Sequence, residues 1–293
     1  MRPPDGGADL GTIVDGNALS RALREEAATR IADLVGSGHP QPSIAIVQTA
    51  GEEAAAVYTR RLQRLLVEAG VAVRLIELPS GATLAEARPL VEQLSADPTI
   101  HAIQLQTPLG PEIPLADVVQ ALDPSKDVDG IHPSNVGLLA QGRPVVVPAT
   151  PAGGMEILSH HAVPISGARA VVVGRSTTVG RPMAFLLLQR DATVTICHTR
   201  TVELERVIGE ADIVVAAAGR AGLVQARAIK AGAAVIDFGT NVVDGKMVGD
   251  VEPAAADRAG LFTPVPGGTG PVTVAMLLRN TLDLYRRAIG AIP

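Results

Sequence analysis

AVVVGRSTTVGRP, residues 170–182, decides the fold. Its opening run of Ala and Val reads as a strand buried on both faces, as in a parallel sheet covered by helices. Gly174 lets the chain turn sharply where the strand ends. Gly180 opens a helix, and Pro182 falls in the first turn, where a missing N–H is tolerated. Such a helix start offers N–H groups and a positive dipole end to a phosphate. The spacing is not GxGxxG, and taken alone the motif is equally an ordinary strand–helix turn.

Working outward, Thr193–Cys197, Ile213–Ala217 and Ala234–Phe238 read as further strands, with helices at Arg181–Gln189 and Val202–Ile208. This is the pattern of a doubly wound dinucleotide unit. The upstream half alternates too. Helix Ser20–Val35, with Ser20 as N-cap, precedes strand Ser43–Gln48 and helix Glu52–Ala69, for which Gly70 is the C′ residue. Strand Val71–Leu78, helix Leu84–Ser95 interrupted by Pro89, strand Ile100–Gln106 and a short helix Leu115–Leu122 follow. That alternation predicts a second parallel α/β unit. Pro144, Pro148 and Pro151 mark the boundary, Pro151–His161 reads as a linking helix, and amphipathic Val272–Ile289 is expected to pack back on the first domain. The expected domains are residues 1–147 with 272–293, and residues 148–271.

Composition narrows the class. Of 293 residues 47% are hydrophobic and only 2% aromatic, so the core must be Ala, Val, Leu and Ile. With 25 basic and 30 acidic residues the net charge is -5, which argues against a nucleic-acid partner. The single Cys197 cannot form an internal disulfide and suits a reducing compartment. The opening MRPPDGGADLG lacks the apolar segment of a secretory leader, and no apolar run approaches the ~18 residues of a membrane span. The expectation is a cytoplasmic protein without a membrane partner.

Three parts of the sequence bear on the site chemistry. Arg175 and the strand-end segment His198-Thr199-Arg200 are basic and hydroxylic. An acid at that strand end would favour the free ribose of NAD, whereas this set suits a 2′-phosphate; solvated surface charge is the plainer alternative. In DPSKDVDGIHPSNVG, residues 123–137, Asp129 precedes Gly130 and is placed to face a cleft between domains. A fixed carboxylate takes two hydrogen bonds from a flat heterocycle bearing an amino group beside a ring N–H. A solvated Asx-rich turn is the alternative. His132 reads as a structural hydrogen-bonding residue, because no second His or Cys stands at ligand spacing, and no metal is expected. The loop TPVPGGTGPVT, residues 263–273, is stiff and either sits against a ring or cofactor or connects the domains.

Taken in order, KDVDG (126–130), HPSNVG (132–137), VVVGRSTTVGRP (171–182), VIDFGTN (235–241), GDV (249–251) and TPVPGGTGP (263–271) resemble the methylenetetrahydrofolate dehydrogenase/methenyltetrahydrofolate cyclohydrolase family. The likeness runs from Asp15-Gly16 to the terminal helix. It implies an NADP site at Gly174, Arg175, Ser176 and Thr199, with Thr240 where the family usually has Ile. It also implies a folate cleft using Tyr58, Gln106 and Asp129, and a homodimer formed through the cofactor domains.

One departure stands out. The family places a lysine four residues after the tyrosine, and here that position is Leu62, in Tyr58-Thr59-Arg60-Arg61-Leu62. Residues i and i+4 share a helix face, so Tyr58 and Leu62 are both expected to look toward the cleft. Ala55, Thr107 and Pro148-Ala149-Thr150-Pro151 also depart from the family pattern. Hydride transfer needs alignment more than a proton donor, whereas hydrolysis of the methenyl product needs proton transfers that leucine cannot make. The expected activity is therefore NADP-dependent oxidation of 5,10-methylenetetrahydrofolate with weak or absent cyclohydrolase activity. The alternatives are a diverged paralogue acting on another pterin-like substrate and a non-catalytic NADP- or folate-binding protein.

Overall fold

A computed structural model describes residues 11–51 and 53–292, with the backbone alone over 53–58. The first half of the chain runs β1 (Thr12–Ile13), α1 (Gly16–Gly36), β2 (Ser43–Thr49), α2 (Glu53–Glu68), β3 (Ala72–Leu78), α3 (Leu84–Ala96), β4 (Ala102–Leu105), α4 (Leu115–Val118) and α5 (Pro133–Ala140). The second runs α6 (Ala149–His160), β5 (Arg169–Val173), α7 (Gly180–Gln189), β6 (Thr193–Cys197), α8 (Leu204–Gly209), β7 (Ile213–Ala216), β8 (Ala234–Asp237), β9 (Asn241–Val243), β10 (Lys246–Val248), β11 (Leu261–Phe262) and α9 (Thr269–Ala288). The chain divides into two α/β units, one of residues 20–149 with 274–292, the other of 11–19 with 150–273.

The unit of residues 20–149 is built on a parallel sheet of order β3-β2-β4. The chain steps from β2 out to β3, then back past β2 to β4. With right-handed crossovers, that reversal puts α2 and α3 on opposite faces. The α3 face is apolar: Ala45, Val47, Ile103 and Leu105 pack with Ala87, Val91 and Leu94. The other face carries Ile44, Ile46, Gln48 and Gln104 and receives the buried stripe of α2, Thr59, Leu62, Leu66 and Ala69. Gly70, at φ +88°, ends α2 in the left-handed conformation expected of a C′ residue. In the same unit Tyr285 of α9 donates to Pro40 O at 2.6 Å and meets His101 edge-on.

The other unit is a six-stranded parallel sheet of order β1-β11-β8-β7-β5-β6. The path leaves β5 toward β6, then returns to β7 on its far side. The reversal between β5 and β7 is the switch point at which doubly wound sheets bind ligands, beyond the strands' carboxyl ends. Val171, Val173, Val214, Ala216 and Val235 form its core with Ile208 of α8.

The structure moves several boundaries. Helix α1 starts at Gly16 rather than Ser20, because Asp15 Oδ1 accepts from Ala18 N at 3.0 Å and so caps it; Ser20 is buried inside the helix. Pro89 does not interrupt α3, which runs unbroken from Leu84 to Ala96. That helix is fixed by Glu86 Oε2, which accepts from Thr83 N and Oγ1 at 2.8 and 2.9 Å. Residues 11–19, which pattern alone groups with the first domain, join the nucleotide-type unit through β1–β11 pairing. The hairpin β9–β10 escapes the strand pattern because its strands are only three residues long, but Asp244-Gly245, both at positive φ, is its turn signal. The expected start of the Glu52–Ala69 helix, at Glu52, lies outside the described residues. No helix among the described residues is long and apolar enough to cross a membrane.

Candidate functional site

In the nucleotide-type unit, the chain leaves β5 at Gly174, whose φ of +134° disfavours any side chain. A Cβ there would also overlap the Ala217 carbonyl at the end of β7. The turn is thus pressed against the switch point. Ser176 Oγ accepts from Val179 N and Gly180 N, each at 3.2 Å. Two N–H groups at the start of α7 that the motif offers to a phosphate are therefore held by Ser176 in the preceding loop. The register Val173↔Cys197 puts the ends of β5 and β6 side by side, with Arg175 just beyond the first and Thr199 just beyond the second. Arg175, Thr199 and Arg200 are exposed, and neither arginine forms an ion pair among the described residues. Thr240, also exposed, follows β8, three strand spacings from Thr199, or about 14 Å.

Two buried carboxylates knit this edge together. Asp237 Oδ1 accepts from Gly239 N and Asp250 N at 2.7 and 3.0 Å, and its Oδ2 from Val251 N at 3.0 Å. Asp250 accepts from Ala218 N, Gly219 N and Arg220 N at 2.6–2.8 Å and from Asn241 Nδ2 at 2.9 Å. Burial pushes the Asp237 carboxyl up to about 6, against the lowering effect of its backbone donors. A Cβ on Gly249 would overlap Asp237 Oδ2, which explains the glycine before Asp250. Thr269 Oγ1 donates to Asp237 O at 2.7 Å, tying the 263–273 loop to the same edge.

In the other unit, Gln106 continues β4, its N donating to Val47 O at 2.8 Å. The bridge Ile103↔Asp127 extends the sheet by one short pairing, and Asp129 lies in the turn that follows it. The two aspartates have different surroundings. Asp127 is fully buried, and its Oδ2 accepts from His132 N and Asn135 Nδ2, both at 2.8 Å. Asp129 keeps an exposed edge and makes no hydrogen bond among the described residues. Burial, followed by the nearby Asp127 carboxylate, pushes it up to about 7. A partnerless carboxylate in this setting is ready for a ligand that brings its own donors. Lys126 Nζ donates to Asp97 O at 2.7 Å, and Asn280 Nδ2 to Val128 O and Val147 O at 2.9 and 2.8 Å, so the loop is pinned around Asp129. His132 is structural, its Nδ1 accepting from Ser134 N at 3.1 Å at the start of α5.

Tyr58 lies on α2, but its side chain, like that of Ala55, is outside the described residues. Leu62 is 1% exposed and shares the buried stripe of Thr59 and Leu66, while Arg61 points to solvent. The leucine is packed as a core residue rather than displayed in an open cleft, because an apolar side chain follows the burying face of its helix. Asp127, Asp250 and Asn280 are site-building residues that pattern reading missed. The motifs KDVDG and GDV contain the first two, but Asn280 carries no local signal.

Comparison with known proteins gives one answer along the chain. Residues 14–129 match the tetrahydrofolate dehydrogenase/cyclohydrolase catalytic domain, and residues 148–289 match that family's NAD(P)-binding domain. The chain is 54% identical over 280 residues to the bifunctional protein FolD of Chloroflexus aurantiacus, covering 95% of this chain and 98% of that one. Among solved structures, the bifunctional methylenetetrahydrofolate dehydrogenase/cyclohydrolase of Campylobacter jejuni aligns with TM-score 0.92 at 35% identity, covering 94% of this chain and 99% of that one. The Trypanosoma brucei enzyme, solved with NADP and an inhibitor, aligns with TM-score 0.91 at 36% identity over 95% of this chain and 98% of that one. The carboxyl-edge turn, the pinned aspartate loop and these matches lead to one conclusion: the chain belongs to the tetrahydrofolate dehydrogenase/cyclohydrolase family.

Proposed function

We propose that this protein oxidises 5,10-methylenetetrahydrofolate with NADP, and that it hydrolyses the methenyl product only weakly. The observation that carries the redox half is the Gly174–Gly180 turn at the switch point, with exposed Arg175 following β5 and exposed Thr199 following β6, the adjacent strand. The turn leaves no room for side chains where a pyrophosphate would approach. Arg175, Thr199 and Arg200 would hold the 2′-phosphate, and Ser176 and Thr240 would border the rest of the cofactor. When bound, NADP supplies the hydride acceptor. The protein's part in that step is alignment, which alone accounts for a large share of rate enhancement in such transfers.

Asp129 takes the amino group and ring N–H of the pterin, which neutralises the disadvantage of a carboxylate pushed up to about 7. Gln106 and Tyr58 line the same cleft. Leu62 neither donates nor accepts a proton, so Gln106 lacks the lysine partner usual in the family. A homodimer through the nucleotide-type units belongs to the same proposal. The edge strand β6 and its neighbours expose Leu188, Ile196 and Val202, and native mass in solution tests it. A cytoplasmic location accords with the one, buried cysteine.

The test is hydride transfer followed at the nicotinamide absorbance with 5,10-methylenetetrahydrofolate, NADP and, separately, NAD. Turnover with NADP well above NAD is expected. Folate binding without turnover would favour a binding protein instead, and failure to bind folate would favour a paralogue with another substrate.

A further inference from the structure

Three polar atoms on the α2 side of the β3-β2-β4 sheet are buried with no hydrogen-bond partner among the described residues: Gln48 Oε1, Gln104 Oε1 and Thr59 Oγ1. The residues are 5%, 5% and 1% exposed. Each such atom costs about 1–3 kcal/mol when left unsatisfied, so three on one side of one sheet require an explanation.

The register brings the two glutamines together. Ile46 pairs with Gln104, and Gln48 lies two residues further along the same face of β2. The two glutamines are thus diagonal neighbours, within reach of long side chains. Gln106 is the next residue on that face beyond Gln104. Thr59 lies on the buried stripe of the helix that covers this face, one turn before Leu62. The Gln48 amide has a fixed orientation. Its Nε2 donates to Glu77 Oε2 at 3.0 Å, on β3. A carboxylate only accepts, so the amide oxygen must turn away from β3, toward β4 and Gln104.

We propose that Gln48, Gln104 and Thr59 form a water site next to Gln106, and that the hydrolysis this protein retains uses the water held there. Two amide oxygens accepting and one hydroxyl donating give a water three hydrogen bonds, the usual complement of a buried one. The site rests on the folate reading above. It offers a polar path to the cleft on the side where Leu62 offers none. In the step itself the water oxygen bonds to the cationic methenyl carbon, and one ring carbon–nitrogen bond breaks with its electron pair passing to nitrogen. That nitrogen takes one of the water's two protons, and the other leaves to solvent.

The test follows decay of preformed methenyltetrahydrofolate above the uncatalysed rate in the unmodified protein, Gln48→Leu and Gln104→Leu. Leucine keeps the bulk and closes the site. Excess hydrolysis is expected in the unmodified protein and should fall at least about tenfold in each variant. Gln104→Glu, which keeps an acceptor, should retain hydrolysis with an altered pH profile. Hydride transfer and the thermal midpoint, read on the same samples, report whether the fold survives. Unchanged hydrolysis in both leucine variants, or none above the uncatalysed rate in the unmodified protein, overturns the site. Absence of hydride transfer in the unmodified protein would instead overturn the NADP reading, while hydrolysis of the preformed substrate still reports on the water site.

Discussion

Removing the charge of Asp129 should stabilise the folded protein and do so increasingly as pH rises. The folded carboxyl stands at about 7 against an ordinary 3.8. A shift of about 3 units corresponds to about 4 kcal/mol between the protonation states. The sign follows from proton counting. Between pH ~4 and ~7 the unfolded chain has lost this proton while the folded chain keeps it, so folding stability falls across that window and stays lower above it. Asn carries no such titration. The stability gap between Asp129→Asn and the unmodified protein should therefore be small near pH 4 and approach its limit by pH 8. The carboxyl retains an exposed edge, and solvent screening should reduce the ~4 kcal/mol ceiling to about 2 kcal/mol. Urea unfolding of both proteins at pH 5, 6, 7 and 8 measures the gap directly. Folate affinity should move the other way, falling at least about tenfold in the variant while NADP affinity holds. A gap that does not widen with pH, or an unmodified protein more stable than the variant at pH 8, would refute the claim that this carboxylate is held at an energetic disadvantage for a ligand.

Three other perturbations probe separate parts of the structure. Arg175→Ala should weaken NADP binding by about tenfold or more and NAD binding little, by fluorescence titration; equal losses would remove the 2′-phosphate assignment. Leu62→Lys should raise methenyltetrahydrofolate hydrolysis, with ~10²–10⁴-fold as the ceiling for a general acid or base, while lowering the thermal midpoint because position 62 is buried. No gain in a folded variant would mean that this position does not reach the reacting carbon. Gly249→Ala drives a methyl group into Asp237 Oδ2 and should destabilise by about 3 kcal/mol or more, lowering Tm by roughly 6–12 °C. An unchanged Tm would show that the Asp237–Asp250 linkage yields easily.

Much of this molecule is written locally. Runs such as Ala170–Val173 and Ile213–Ala216 announce buried parallel strands, and Gly174, Gly180 and Pro182 announce the turn between strand and helix. What escapes local reading is settled at a distance. Thr12–Ile13 is too short to show a period and becomes a strand only because Leu261–Phe262 pairs with it. Within KDVDG two aspartates two residues apart look alike, yet Asp127 is buried with its Oδ2 held by His132 N and Asn135 Nδ2, while Asp129 makes no hydrogen bond among the described residues. Ser176 looks like a cofactor contact, and its hydroxyl already accepts from Val179 N and Gly180 N. Gln48 and Gln104 carry no local sign of burial, yet each is only 5% exposed in the folded chain.

The pairing of Thr12 with Leu261 also bears on the order in which the molecule is made. The first described strand emerges from the ribosome early and has no neighbour until almost the whole chain has followed it. The other unit waits as well, because Asn280 anchors Val128 O and Val147 O, and Tyr285 reaches back to Pro40 O. Contacts of such sequence separation slow folding, since long loops must close before the contacts reward them. Neither unit can be finished first and left to shelter the other during translation. Both close in the final stretch of synthesis, and a ribosome stalled shortly before Leu261 would hold a six-stranded sheet lacking β11 and a three-stranded sheet lacking α9.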